Sequence, residues 1–286
     1  MKYFEGFYAK LTGQKDSMAI IFGRHVYKDD KSSFIQIITQ DKTYAVAYPN
    51  KFEDDLFKRK TFEVRLYKSF ANEDGLFLDI DTTDLKVKGH IAFGIFSKIR
   101  YDAMGPLKFL PKMECKHYVI SMKHSLEGQI VLNGKIYNFN DGIGYIEGDR
   151  GCSFPQKYFW SQCNNETQGI SLFSSAARIP YLGLQFMGTI CIVNYKDKEY
   201  RFASYLGAKV KHLDAKGLYV KQGKKRLEIE VLDDKKGLPL MAPINGKMNR
   251  TIYESLDRKI RYKLMVKNRI IFDFISNRSA YEYSAP

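Results

Sequence analysis

The chain has 286 residues, 44% of them apolar and 14% aromatic, and its 46 Lys and Arg outnumber its 32 Asp and Glu to give a net charge of +14. A folded chain of this length buries roughly three quarters of its unfolded surface, so a sizeable core is available. Twenty Phe and twenty Tyr with only eight Pro exclude natively disordered, collagen-like and low-complexity classes. Cys115, Cys152, Cys163 and Cys191 form no CxxC, and the five histidines never fall three or four apart, so neither a disulfide framework nor a structural zinc site is expected.

In chain order, the start MKYFEGFYAKLTGQ carries Glu5 and Lys10 where a secretory leader needs an unbroken apolar run, which makes a cytoplasmic protein the expectation. Period-two alternation then recurs. SSFIQIITQ is followed by KTYAVAYP, and PNKFEDDLFKRK has room for two helical turns. TFEVRLYKS is answered across Glu73-Asp74-Gly75 by LFLDIDT, and GQIVLNGKIYNF carries Asn133-Gly134 at its tip. Asn-Gly is the strongest short hairpin signal, because both central residues of a type I′ turn need positive φ. The uncharged stretch 179–195 contains Pro180, Gly183 and Gly188 and reads as two buried strands joined by a turn, not as a membrane span. TICIVNYKDKEYRFASYLG turns near Asp197, and GLYVKQGKKRLEIEVL near Gly223.

More than a dozen short strands predict an all-β protein of two lipocalin-like antiparallel β-barrel or sandwich units. The glycine-rich stretch from Asp141 to Gly151 is the expected join, giving units 1–145 and 146–286 packed closely together.

The positive charge invites a nucleic-acid reading. Residues 207–286 hold 18 basic against 9 acidic residues, but these alternate with apolar ones, as on the wet face of an antiparallel sheet. No nucleic-acid partner is expected. Peripheral contact with an anionic membrane is the second reading.

The segment GYIEGDRGCSFPQKYFWSQCNNE concentrates chemistry. On an extended chain Glu147 and Asp149 point to one side, and Tyr158, Trp160, Gln162 and Asn164 share a face. That face is unusual in joining amides to the sole tryptophan, which suits either a strand between the units or the wall of a pocket. Glu5 in YFEGFYAK is either a buried acid in a cavity or a strand-end group paired with a lysine. His117 reads first as a structural histidine. Ser121 and His124 have no GxSxG elbow around them, so serine chemistry is not expected.

YFEGFYAK, MGPLKFLPKMECKHYVISMKHSLEGQIVLNGKIYNF, GYIEGDRGCSFPQKYFWSQCN and RFASYLGAKV, in that order, resemble the tocopherol cyclase family and its shorter bacterial relatives. The FPxKxFWxQCN element, Phe154 to Asn164, is the most specific. The resemblance implies two lipocalin-like barrels and an acid-catalysed closure of a chroman ring on a prenylated hydroquinone, with no metal and no cofactor. It points to Glu147, Asp149 and Glu5 as the acids. Trp160, Tyr158, Gln162, Asn164, Tyr8 and His117 become the residues that touch a lipophilic ligand, the aromatics sheltering a cation and the amides orienting a phenol. Plant-type members carry tryptophan where this chain has Arg150, a cation that favours ionised carboxylates if it lies near them. The same fold also suits an alkene hydratase or isomerase, or a lipophile-binding protein without catalysis.

Overall fold

A computed structural model describes residues 1–49, 57–58, 61–111, 113–181 and 183–286. Among them there is no α-helix, only strands, turns and short 3-10 segments such as Gly105–Phe109 and Ser204–Leu206. Of PNKFEDDLFKRK, read as helical turns, all but Pro49, Phe57 and Lys58 lie outside the described residues.

One sheet contains β1 (Lys2–Thr12), β2 (Ser17–Tyr27), β3 (Asp30–Ile38), β4 (Thr43–Pro49), β5 (Phe57–Lys58), β6 (Glu63–Leu66), β7 (Ser69–Ala71), β8 (Gly75–Asp81), β9 (Lys86–Phe93), β10 (Cys115–Leu132), β11 (Lys135–Asn138) and β12 (Gly142–Gly151). Its spatial order is β4-β3-β2-β1-β12-β10-β9-β8-β7-β6-β5, with β11 paired on β10. Ile37 from β3 and Val64 from β6, near opposite ends of that order, share one buried cluster with Phe7, Ile20, Leu78, Ile130 and Ile146. The sheet therefore curls until its two ends enclose a common core, and each such side chain withdrawn from water contributes about 1.5–3 kcal/mol.

The second sheet contains β13 (Tyr158–Asn165), β14 (Ile170–Tyr181), β15 (Leu184–Tyr195), β16 (Lys198–Ala203), β17 (Lys209–Asp214), β18 (Gly217–Gln222), β19 (Lys225–Val231), β20 (Leu238–Ile244), β21 (Lys247–Val266) and β22 (Arg269–Ser284). Its order is β16-β15-β14-β13-β22-β21-β19-β18-β17, with β20 on β21. Phe202 from β16 and Val220 from β18 meet Phe159, Leu172, Cys191, Leu227 and Tyr262 in its core, so this sheet curls as well.

The hairpins fall where turn chemistry puts them. Asn133 (φ 48) and Gly134 (φ 84) join β10 to β11, Lys196 and Asp197 (φ 47 and 59) join β15 to β16, and Gly223 (φ 55) joins β18 to β19. TFEVRLYKS, read as one strand, is two: the chain reverses at Tyr67, whose φ is 55, and β6 pairs back on β7.

The expected boundary at 145/146 needs correction. Strand β12 runs through it without a break, and the two compact units are discontinuous in sequence. One comprises 1–99, 117–152 and 243–249, and the other 100–116, 153–242 and 250–286. The glycines that suggested a linker serve packing instead. A Cβ on Gly144 would lie 2.2 Å from His124 Nε2, and one on Gly148 would lie 2.5 Å from the Tyr118 ring, so both keep the strand open beneath a ring.

The charged C-terminal third is a wet sheet face. Leu218, Val220, Leu227 and Ile229 are buried while Lys209, Lys221 and Glu230 are exposed. Basic residues on that face meet acidic ones, Arg261 on Asp273 at 2.7 Å and Lys263 on Glu228 at 3.6 Å.

Candidate functional site

In the first unit, strand alternation puts Tyr145, Glu147 and Asp149 on one face of β12 and Gly144, Ile146, Gly148 and Arg150 on the other. Ile146 belongs to the barrel core, so the acids occupy the face turned away from it. Across the ladder from β12, Tyr8 of β1 stands opposite Glu147, and Lys10 opposite Tyr145. Directly opposed residues share a face, so Tyr8 and Lys10 belong to the same group. This face is dry: Tyr8, Lys10, Tyr145 and Glu147 are all buried.

Two groups close on Glu147. The Tyr145 hydroxyl donates to Glu147 Oε2 at 2.5 Å. His117, from β10, has Nε2 3.5 Å from Glu147 Oε2 and Nδ1 3.1 Å from Asp149 Oδ1. Burial, then the charge and hydrogen bond of Glu147, and finally the charge of Asp149 hold the Tyr145 phenol well above its ordinary pKa. Tyr145 thus stays a neutral donor at any working pH. A carboxylate buried alone would cost several kcal/mol, and the imidazole and phenol supply its compensation.

The ligating atoms of His117, Glu147 and Asp149 all lie within 4.8 Å of one another, close enough to be tested as a cation site. The two ring nitrogens, however, face different carboxylates. One ion takes only one nitrogen of an imidazole, so this set, with its hydrogen bond from His117 Nδ1 to Asp149 and Glu147 facing the other nitrogen, suits proton transfer through the ring better than a single cation.

Of the expected acids, Glu147 and Asp149 are brought together and Glu5 is not. Glu5 stands opposite Arg150 and Arg24 in the β1 ladders, which places it on the core side of the sheet. There Arg24 Nη2 donates to Glu5 Oε2 at 2.7 Å, Arg24 Nε donates at 3.2 Å, and the Tyr3 hydroxyl at 3.0 Å. Glu5 is therefore a buried acid, and its partner is an arginine in place of the lysine that the alternative reading expected. Arg150, sharing that face, is turned away from Glu147 and Asp149.

In the second unit the expected face of β13 is real. Phe159 and Cys163 point into the core, leaving Tyr158, Trp160, Gln162 and Asn164 on the other face. The Tyr158 hydroxyl donates to Glu282 Oε2 at 2.7 Å, and burial followed by the Glu282 charge raises its pKa well above the ordinary value. Ser171 Oγ donates to Asn164 Oδ1 at 2.5 Å. Gln162 is 1% exposed, and among the described residues neither its Oε1 nor its Nε2 has a hydrogen-bond partner. A buried polar atom left unsatisfied costs about 1–3 kcal/mol, so this amide is a liability for the fold alone.

Sequence reasoning missed Tyr145, Glu254 and Glu282. Tyr145 was within reach of it, lying two residues before Glu147 in the same alternation. Glu254 and Glu282 had no local signal, since they become neighbours only through the register of β21 on β22, while the pairing of β13 with β22 sets Glu282 opposite Trp160. Ser121 Oγ and His124 Nδ1 lie 2.9 Å apart, yet both residues are buried and His124 sits against Phe93 and Phe96 with ring centroids 4.7 and 4.8 Å away. Burial lowers the His124 pKa to about 3, which leaves it neutral and structural.

Comparison with known proteins bears on these units directly. The family model described as tocopherol cyclase-like matches residues 79–284. A rice protein (Oryza sativa subsp. japonica) named as a probable chloroplastic tocopherol cyclase is 26% identical over 182 residues. That match takes in 58% of this chain and 39% of the rice protein, so the chain spans about two fifths of that relative's length. Among solved structures, an AttH candidate from Nitrosomonas europaea superposes with a TM-score of 0.58 at 11% identity, covering 99% of this chain and 92% of its own. Kievitone hydratase from Nectria haematococca gives 0.57 at 8% identity, with 99% and 89% covered. At such identities the two structures establish the lipocalin-like all-β fold alone. With the family model matching most of its length, the chain belongs to the tocopherol cyclase-like family.

Proposed function

We propose that this protein is a Brønsted-acid catalyst acting on a prenylated lipophilic phenol, closing a chroman ring by protonating an alkene. The proton goes from Glu147 to the less substituted alkene carbon. The phenol oxygen then bonds to the tertiary cation and releases its own proton, so the reaction is an isomerisation with nothing lost. His117, oriented by Asp149, returns a proton to Glu147. Tyr145 holds the carboxyl in place.

The observation that supports this reading is the position of His117 between two carboxylates, 3.1 Å from one and 3.5 Å from the other, in a site where the side chain of Glu147 is 7% exposed. A buried carboxyl group with an imidazole beside it can be resupplied with a proton through that ring, which repeated proton transfer to an alkene requires.

A hydratase carries out the same first step and lets water trap the cation. The likeness to kievitone hydratase keeps that outcome in view. Among the described residues no helix is long and apolar enough to cross a membrane. We take the substrate to be collected at an anionic membrane surface through the basic face of the second unit.

The test is incubation with a prenylated hydroquinone in D2O. The expected product is isomeric with the substrate and carries one deuterium on carbon, and Glu147→Gln lowers its rate by about 10²–10⁴-fold. A product heavier by one water assigns the chain to hydration. Equal turnover by wild type and Glu147→Gln removes Glu147 from the mechanism.

A further inference from the structure

On the β13 face Gln162 is buried with its amide unused among the described residues. Both amide atoms are buried and unpartnered. Its cross-strand neighbours are Phe173 and Ala280, and Trp160 lies two residues away on the same face. Phe173 is fully buried and Trp160 is 7% exposed. A primary amide with aromatic neighbours along and across the strand offers one acceptor and two donors in a single plane. Its complement is a group that both donates and accepts, attached to a flat ring. A phenolic hydroxyl meets both requirements. Asn164 does not compete for that role, since its Oδ1 already accepts from Ser171.

We propose that Gln162 is the specificity determinant for the hydroxyl of an aromatic ligand, accepting the O–H at Oε1 and donating from Nε2 to the same oxygen or to a neighbouring one. The ring lies against Trp160 and Phe173. This assignment shares with the proposed function only the class of ligand, a lipophilic phenol. It requires no turnover. A site built around unpaired polar atoms rejects an analogue that cannot pair them more strongly than an apolar pocket does, so the amide sets selectivity as well as affinity.

The experiment uses Trp160, the sole tryptophan, as the reporter. Full-length protein is titrated with a prenylated hydroquinone and with its dimethyl ether, which has no hydroxyl to donate, and Trp160 emission is followed. Wild type is expected to bind the hydroquinone about ten-fold or more tighter than the ether. Gln162→Met and Gln162→Leu, which remove the unpaired atoms, are expected to shrink that ratio to about two-fold or less while unfolding at the same or a higher temperature. The assignment is overturned by no discrimination by wild type, by an undiminished ratio in the variants, or by unfolding of both variants at lower temperature, which marks the amide as already partnered. An absent Trp160 response to both ligands overturns it too. Chroman formation by wild type is assayed separately, so discrimination without turnover counts against the role of Glu147 alone, and turnover without discrimination counts against Gln162 alone.

Discussion

His117 Nδ1 lies 3.1 Å from Asp149 Oδ1 while the other ring nitrogen faces Glu147, so a residue on β10 ties together two acids that β12 sets side by side. The two acids are not equivalent. Asp149 fixes the imidazole at one nitrogen, and Glu147, the more deeply buried, faces the other. Asp149→Asn is expected to lower chroman formation by roughly 10–100-fold, the scale seen when the partner that orients a metal-bound histidine is removed. Glu147→Gln should cost more. Steady-state rates of the two variants check the order, and a larger loss for Asp149→Asn would make Asp149 the donor.

The Glu5–Arg24 pair makes a different prediction. Both side chains are almost wholly enclosed, 0% and 3% exposed, at 2.7 Å. Removing one partner of such a pair leaves a buried charge and costs about 3–5 kcal/mol, whereas replacing both can be close to neutral. Arg24→Met should therefore unfold at much lower denaturant than wild type, and Glu5→Gln with Arg24→Met should recover most of the loss. Because Glu5 faces the core side of the sheet, the double variant should also retain turnover. A folded double variant without activity would restore Glu5 to the list of acids.

These two clusters show what a single sequence can disclose. Alternation along β12 placed Glu147 and Asp149 together because both lie on one strand, where period two is geometry. The partner of Glu5 was hidden because Arg24 is opposite it only in the register of β1 on β2. His117 was hidden for the same reason, since nothing local says which part of β10 lies beside β12. The glycines were visible but misread: a run of Gly between two sets of strands looks like a joint, and only the rings of Tyr118 and His124 reveal that space, not flexibility, is what they provide.

That reading of the glycines is testable. Gly148→Ala puts a methyl group 2.5 Å from the Tyr118 ring and should destabilise by about 1–3 kcal/mol, as overpacking does. Pairing it with Tyr118→Leu should recover part of the loss. Denaturant midpoints of the two single variants and the double give the coupling. Strict additivity would mean that the ring is not what the glycine accommodates. Limited proteolysis should also spare residues 142–151, which a linker would not.

His124 should give the protein a specific acid sensitivity. Its pKa is lowered to about 3 in the folded state by burial. In the unfolded chain it returns to about 6.5. Between those values the unfolded state binds the extra proton, so stability is fully present above about pH 6.5 and falls as the pH drops toward 3, by up to about 1.4 kcal/mol per unit. His124→Phe, which fits between Phe93 and Phe96, should flatten that slope. Unfolding midpoints at several pH values from 7 to 4 decide it, and parallel curves for the two proteins would assign the acid sensitivity elsewhere.

The charge of +14 makes the proposed contact with an anionic membrane testable. Lys209, Lys211, Lys216, Lys221 and Lys224 are exposed along β17, β18 and their turns. In the same unit Phe109 is 77% exposed and Leu206 50%, apolar groups able to enter a lipid headgroup layer. Each basic residue close to an anionic leaflet adds about 1 kcal/mol of attraction, and that attraction fades within a Debye length as salt rises. The protein should therefore pellet with phosphatidylserine-containing vesicles at low ionic strength and be released at high salt. Vesicles of neutral lipid should retain little of it. Changing Lys209, Lys211 and Lys221 together to Glu reverses six charge units on that face and should abolish pelleting while leaving the unfolding midpoint unchanged, because none of the three is buried. Salt-independent pelleting would shift the credit to Phe109 and Leu206, and no pelleting under any condition would mean that the charge serves solubility alone.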